Sequence, residues 1–169
     1  AGNIWSGSTA QMWSAARRAA AQMSTVRRSA ASSSINFLVW WDGDPVRELL
    51  DDTRIDKYGP SGDTRLLTGS GVASNNGTKA TPVLSGDILG DWREEVVWRT
   101  SDNRALRIYS TPIETDRKIT TLLHDRMYRT GLAWQNTAYN QPPHTSFYLG
   151  HGMGTAPRPT AVTASPVGE

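Results

Sequence analysis

Two kinds of side chain crowd residues 74–99. Asn75-Asn76-Gly77-Thr78-Lys79 sets amide donors, a hydroxyl and an ammonium on one short segment. Asn and Gly tolerate positive φ, so this segment reads as a turn; it is either a ligand-holding loop or an ordinary turn with a solvated lysine. Further on, Asp87, Asp91 and Glu95 stand at relative positions 1, 5 and 9, just before an apolar run. A hard cation such as Ca²⁺ takes about six to eight oxygens, and a tight loop supplies several from alternate residues and backbone carbonyls. Position 3 is Leu89, so this loop alone makes an incomplete shell. The other reading is a surface turn whose carboxylates cap backbone N–H groups or pair with Arg93. Asp42-Gly43-Asp44 with Glu48 is a second candidate of the same kind. The two stretches echo each other: Gly43-Asp44 and Gly90-Asp91 are each followed by three residues, a Glu (Glu48, Glu95) and two apolar residues.

A third feature runs from His124 to His144, where Trp134, Gln135, Asn136, Tyr139, Asn140 and Gln141 crowd a loop-like run ended by Pro142-Pro143. A flat ring for a sugar face and amides for its hydroxyls would make a carbohydrate surface. Equally, Trp134 and Tyr139 would serve as core residues. His124, His144 and His151 lack close metal-ligand spacing and read as structural. No P-loop, Rossmann glycine pattern or nucleophile elbow is present.

The elements that must position these residues are short strands. From Ser34 onward, strand-like runs at 35–41, 46–50, 54–58, 64–68, 95–100, 105–110, 119–123 and 146–149 are separated by Gly, Pro, Asn and Asp turns. Spacing of roughly 8–12 residues between strands predicts an all-β sandwich, barrel or propeller. The repeated Gly-Asp layout is the kind of echo a propeller shows between blades. Residues 1–33 differ, because Ala, Ser and Arg dominate them and a helix there would bury a poor face. Residues 155–169 are Pro- and Thr-rich and read as a linker.

The 169 residues suffice for one domain with a core. With 18 Lys+Arg against 16 Asp+Glu, and arginines clustered only near Arg17, Arg18, Arg27 and Arg28, no compact nucleic-acid patch stands out. No cysteine is present, which excludes disulfides and thiolate metal sites. No apolar run of about 18 residues exists to span a membrane, and no signal peptide is visible. Seven Trp and five Tyr against two Phe favour flat rings with a polar handle; these suit sugars, and they suit cores.

Three stretches, INFLVWWDGDPVRELLD (35–51), NNGTKATPVLSGDILGDWREEVVWR (75–99) and HDRMYRTGLAWQNTAYNQPPHTSFYLG (124–150), resemble the rhamnogalacturonan lyases of polysaccharide lyase family 11. The resemblance covers most of residues 34–153. It implies two to three blades (34–154) of an eight-bladed β-propeller that binds several Ca²⁺ ions. It also implies a secreted enzyme that cleaves the rhamnose–galacturonate backbone of pectin, rhamnogalacturonan I, by β-elimination. Residue by residue, Asn76, Gly77, Thr78 and Lys79 resemble the substrate-contacting loop and Tyr139 the substrate-contacting tyrosine. Lys79 and Tyr139 are the catalytic candidates. Asp87, Asp91 and Glu95, with Asp42, Asp44 and Glu48, fall where calcium-rich loops lie.

The chain departs from that pattern in two ways. A complete family member is several times longer, so the other wall of the substrate cleft is not in these residues. The alternative is therefore a non-catalytic glycan-binding or structural fragment, whose open sheet edges would favour self-association. Residues 14–33 also lack the family's strand-like texture, as a compensated frameshift in a GC-rich gene would leave them. Translating the other two frames across this segment checks that expectation; if neither restores family-like sequence, the frameshift is rejected.

Overall fold

The computed structural model describes residues 36–59, 61–137 and 140–159. The arm at 1–33, Tyr139 and the end of the tail lie outside the described residues.

β1 (Phe37–Val39), β2 (Glu48–Asp51), β3 (Arg54–Lys57) and β4 (Thr64–Thr68) form an antiparallel meander in that order. Asp51 faces Arg54, so Asp52 and Thr53 alone make the β2–β3 turn. Asp52 sits at φ 53°, in the left-handed region that a short polar side chain tolerates. Burial falls from β1 and β2 to the mostly exposed β4.

A second antiparallel sheet is centred on β7 (Glu95–Thr100), with β8 (Leu106–Tyr109) along one side. β5 (Val72–Ala73) and β6 (Leu84–Gly86) share the other side, β5 against Thr100 and Arg99, β6 against Val97 to Glu95. They are two pieces of one interrupted strand. Residues 74–83, which contain the Asn-Asn-Gly-Thr-Lys turn, loop out of the gap between them.

Phe37, Val39, Trp41, Leu50, Ile55, Val72, Val96 and Trp98 form one buried cluster shared by the two sheets. The alternation along β1 and just beyond explains the split: Phe37, Val39 and Trp41 face this cluster, while Trp40 joins Trp92, Leu122, Tyr128 and Leu149 in another. The tryptophans at 40, 41, 92 and 98 are thus core residues; Trp134 is 69% exposed.

Two expected strands are absent. At 119–123 the chain makes a 3-10 turn (Leu122–His124) instead. The Thr121 hydroxyl and the Leu122 N–H both donate to the Asp87 carboxylate rather than to a strand partner. At 146–149 no strand forms either; the Ser146 N–H donates to Asp125. The run read as a loop holds a helix, α1 (Arg126–Ala133), whose N-cap Asp125 accepts from the Met127 N–H at 3.0 Å. α1 packs so closely on β6 that a Cβ at Gly86 would lie 2.5 Å from a Leu132 methyl. Among the described residues the chain is all-β, two antiparallel sheets with one short α-helix.

Trp98 joins the sheets twice, by packing and by its indole N–H donating to Asp52 O at 2.9 Å. Trp98→Ala is expected to cost about 3–5 kcal/mol. Trp98→Phe, which keeps a ring but loses the hydrogen bond, should cost about 1–2 kcal/mol. Urea unfolding of the two variants checks the ranking, and equal losses would contradict it.

Candidate functional site

The loop at 74–83 is closed on itself and latched from outside. Asn75 N–H donates to Thr81 O at 2.7 Å and Ala80 N–H to Asn76 O at 2.9 Å. The Asn76 side-chain oxygen accepts from the Lys79 N–H at 2.6 Å. Ala80 takes φ 50° and its carbonyl accepts from Asp52 N–H at 3.0 Å, which ties the loop to the β2–β3 turn. The Asn36 amide donates to Lys79 O. With the backbone fixed in this way, Asn76, Gly77 and Thr78 are left exposed and Lys79 half-buried.

The amides after α1 are the other latch. Gln135 donates to Ser85 O at 2.6 Å and accepts from Ser85 N–H at 2.8 Å, pairing with the outer edge of β6 as another strand would. Asn136 donates to Val83 O and accepts from Asn75. Asn140 donates to Thr81 Oγ1 and Pro82 O at 3.2 and 3.1 Å. These amides hold the loop's backbone, so of the carbohydrate surface expected of residues 134–141 the ring of Trp134 and Gln141 remain exposed among the described residues.

The structure brings Asp42, Asp44 and Glu48 together: one carboxylate oxygen from each lies within 4.8 Å of the others. Lys57 stands among them, its ammonium 2.7 Å from Asp42, 2.8 Å from Asp44 and 2.8 Å from Glu48. Burial works against the Lys57 charge, but Glu48 and the hydrogen bonds to all three carboxylates outweigh it and raise its pKa.

Asp87, Asp91 and Glu95 are arranged differently. Asp87 is buried and accepts from Gly90 N–H at 2.8 Å, Leu122 N–H at 2.7 Å and the Thr121 hydroxyl at 2.8 Å. Asp91 is exposed and pairs with Arg93. One Glu95 oxygen accepts from Ile88 and Leu89 N–H at 3.0 and 2.9 Å. Burial raises the Glu95 pKa; those N–H groups hold it back, and Asp91 and Asp87 push it further up. Backbone capping and the Arg93 pair both occur, as one sequence reading expected. Among the described residues these three carboxylates do not converge within 4.8 Å as Asp42, Asp44 and Glu48 do.

Sequence reasoning did not find Arg47, Glu94 and Tyr128, which stand beneath both loops. All three are buried. Glu94 accepts from Trp40 N–H at 2.9 Å and from the Tyr128 hydroxyl at 2.7 Å, with Arg47 at 3.6 Å. Tyr128 in turn accepts from Asp87 N–H at 2.8 Å. Arg47 lies 3.7 Å over the Trp40 ring and donates to Pro143 O. Its Nε and Nη1 are buried without a hydrogen-bond partner among the described residues, a cost that the contact with the Trp40 ring partly offsets. Burial pushes the Glu94 pKa up, against the pull of Arg47, the Trp40 N–H and the Tyr128 hydroxyl. The only sequence signal was the charged pair Arg93-Glu94 beside an apolar strand. His124 Nδ1 bonds Thr121 O at 2.7 Å, and burial with the nearby Arg47 charge lowers the His144 pKa to about 4.

Glu94→Gln removes the charge that balances buried Arg47, so about 3–5 kcal/mol of stability should be lost. Urea unfolding checks this; a loss under about 1 kcal/mol, the size of an exposed pair, would show the carboxylate to be dispensable.

The family model for rhamnogalacturonan lyase family 11, C-terminal domain, matches residues 2–159. The rhamnogalacturonan endolyase YesW of Bacillus subtilis (strain 168) is 61% identical over 137 residues, covering 80% of this chain and 22% of that protein. The rhamnogalacturonan exolyase YesX of the same organism is 54% identical over 144 residues, covering 79% of this chain and 24% of that protein. The crystal structure of YesW superposes with a TM-score of 0.71 at 63% identity, over 74% of this chain and 22% of that one. The chain thus spans less than a quarter of the length of these relatives. With the family model matched over nearly its whole length, this chain belongs to rhamnogalacturonan lyase family 11, in the family's C-terminal domain.

Proposed function

We propose that this chain forms one wall of the active site of a secreted lyase acting on the rhamnogalacturonan I backbone of pectin. The observation that carries the reading is the Asn76–Lys79 turn. It breaks out of an interrupted strand and is latched by Asn36, Asn75, Asn136 and Asn140, and it presents Asn76, Gly77 and Thr78 to solvent. A rigid scaffold with an exposed polar loop is how folds position a substrate site. The two sheets would be neighbouring blades of an eight-bladed propeller. The open side of β8, with Leu106 and Ile108 each 60% exposed, is where self-association would begin.

The reaction is a β-elimination. A base takes the C5 proton of galacturonate, the C5–H electron pair becomes the C4=C5 double bond, and the C4–O bond breaks with its electron pair leaving on the rhamnose oxygen, which takes up a proton. Negative charge builds on the galacturonate carboxylate, so a cation nearby lowers the barrier. Lys79 serves as the base or as that cation. Tyr139 would orient the sugar or relay a proton, and Asn76 and Thr78 would hold hydroxyls. The Asp87, Asp91 and Glu95 set fits Ca²⁺ in donor type. Bound calcium would supply positive charge that fixes the loop or stabilises a developing enolate.

The test uses a full-length lyase carrying this segment, with the ultraviolet absorbance of the unsaturated uronate product as readout, with calcium and then with a chelator. Lys79→Ala should lower kcat at least about 100-fold, and the 169-residue chain alone should show little turnover. Unchanged activity in Lys79→Ala removes the role given to the loop. Pectin binding without product from the full-length protein would favour a non-catalytic glycan binder.

A further inference from the structure

The two Gly-Asp loops are the same structure built twice. Val39 faces Glu48 across β1 and β2, and Gly86 faces Glu95 across β6 and β7, so eight residues span each crossing. Glu48 accepts from Trp41 and Asp42 N–H, seven and six residues upstream, at 2.8 and 3.3 Å. Glu95 does the same with Ile88 and Leu89. Asp44 accepts from the N–H two residues on (Val46, 2.7 Å), and so does Asp91 (Arg93, 3.1 Å). Aligned this way, Asp42 corresponds to Leu89. The register also aligns the residues across the next strand. Continuing the Leu49–Asp56 pairing by one step sets Lys57 opposite Glu48, whereas continuing the Val96–Tyr109 pairing sets Ser110 opposite Glu95. The first loop therefore has a carboxylate at 42 and an ammonium at 57 where the second has Leu89 and Ser110, and the second has its third carboxylate at Asp87, aligned with Trp40.

We propose that the Lys57 ammonium is the resident cation of the Asp42–Asp44–Glu48 loop, holding it closed without metal and excluding divalent ions from it. All three ammonium hydrogens have a carboxylate acceptor at ordinary hydrogen-bond length. The other oxygen of each carboxylate is also engaged: Asp42 by the Asp44 N–H at 2.8 Å, Asp44 by Val46, Glu48 by Trp41 and Asp42. The turn's Gly43 carbonyl accepts from the Thr115 hydroxyl at 2.7 Å. A calcium ion needs about six to eight oxygens at roughly 2.3–2.6 Å, and here an ammonium occupies the point on which they converge. The three carboxylates that looked like a second calcium site from sequence do not fit one while Lys57 is present.

The inference goes beyond the lyase reading, and terbium luminescence tests it on the full 169-residue chain, since Trp40 and Trp41 adjoin Asp42 and can sensitise a bound ion. In the wild-type chain, Asp44→Asn should leave any terbium signal unchanged. Lys57→Ser, which copies the second loop, should gain a chelator-reversible signal that Asp44→Asn then abolishes. It should also melt several degrees lower in chelator and recover in millimolar calcium. A wild-type signal lost in Asp44→Asn, or a folded Lys57→Ser chain that gains none, overturns the proposal. If Lys57→Ser folds only with calcium, that supports it; if it folds under neither condition, the wild-type and Asp44→Asn comparison decides alone. A wild-type chain with no signal at all supports this closed loop while removing the calcium expectation for Asp87, Asp91 and Glu95.

Discussion

Glu94 is the point on which four segments meet. Its carboxylate receives the Trp40 N–H just after β1, the Tyr128 hydroxyl from α1 and the charge of Arg47 before β2. Tyr128 passes the connection to Asp87 after β6. The Glu94 N–H also donates to Trp40 O at 2.7 Å, so the two loops are joined by backbone as well. Taking a carboxylate and a guanidinium out of water is costly unless each is closely paired. The packing around them therefore has little freedom, because a shift in any one segment would strand a buried charge. In this way a polar centre fixes how the sheets and helix sit together, where apolar contact alone would tolerate sliding.

The loop at 74–83 is held just as closely, by bonds of its own. A ten-residue excursion from a strand would ordinarily be mobile, since it gives up the ladder that orders its neighbours. Here the ladder resumes at Leu84, nearly in line, and side-chain amides replace the missing strand partners. Gln135 does this for Ser85, while Asn136 and Asn140 take the carbonyls of Val83 and Pro82. The amides that looked suited to sugar hydroxyls bond backbone groups instead, because an unpaired β6 edge beneath a packed helix would leave buried donors and acceptors unsatisfied.

The two Gly-Asp loops show how little a local motif says about its partner. Both use Asp and Glu to organise backbone N–H groups in the same register. In one an ammonium arrives from the neighbouring strand; in the other Arg93 pairs with Asp91, and Glu95 is left among carboxylates and N–H groups. Part of the difference lies inside the motifs, at Asp42 against Leu89, and part outside them, at residues 57 and 110.

The sequence by itself determined most of the strand order, because period-2 burial and turn residues are local properties: 64–68 and 95–100 are strands over the residues expected. It also determined the repeat of the Gly-Asp layout and the family, through long stretches whose residue types are specific. It did not determine 119–124, where Thr and Leu favour a strand but the distant Asp87 carboxylate takes the N–H groups. Nor did it show α1, whose apolar face amounts to little more than Tyr128 and Leu132, with Leu132 packed where Gly86 has no side chain. Tertiary structure alone decided which carboxylates share a centre and what cation lies among them. Charge pairing acts through a few ångströms of space, and Glu48 meets Lys57 only once β2 and β3 have paired.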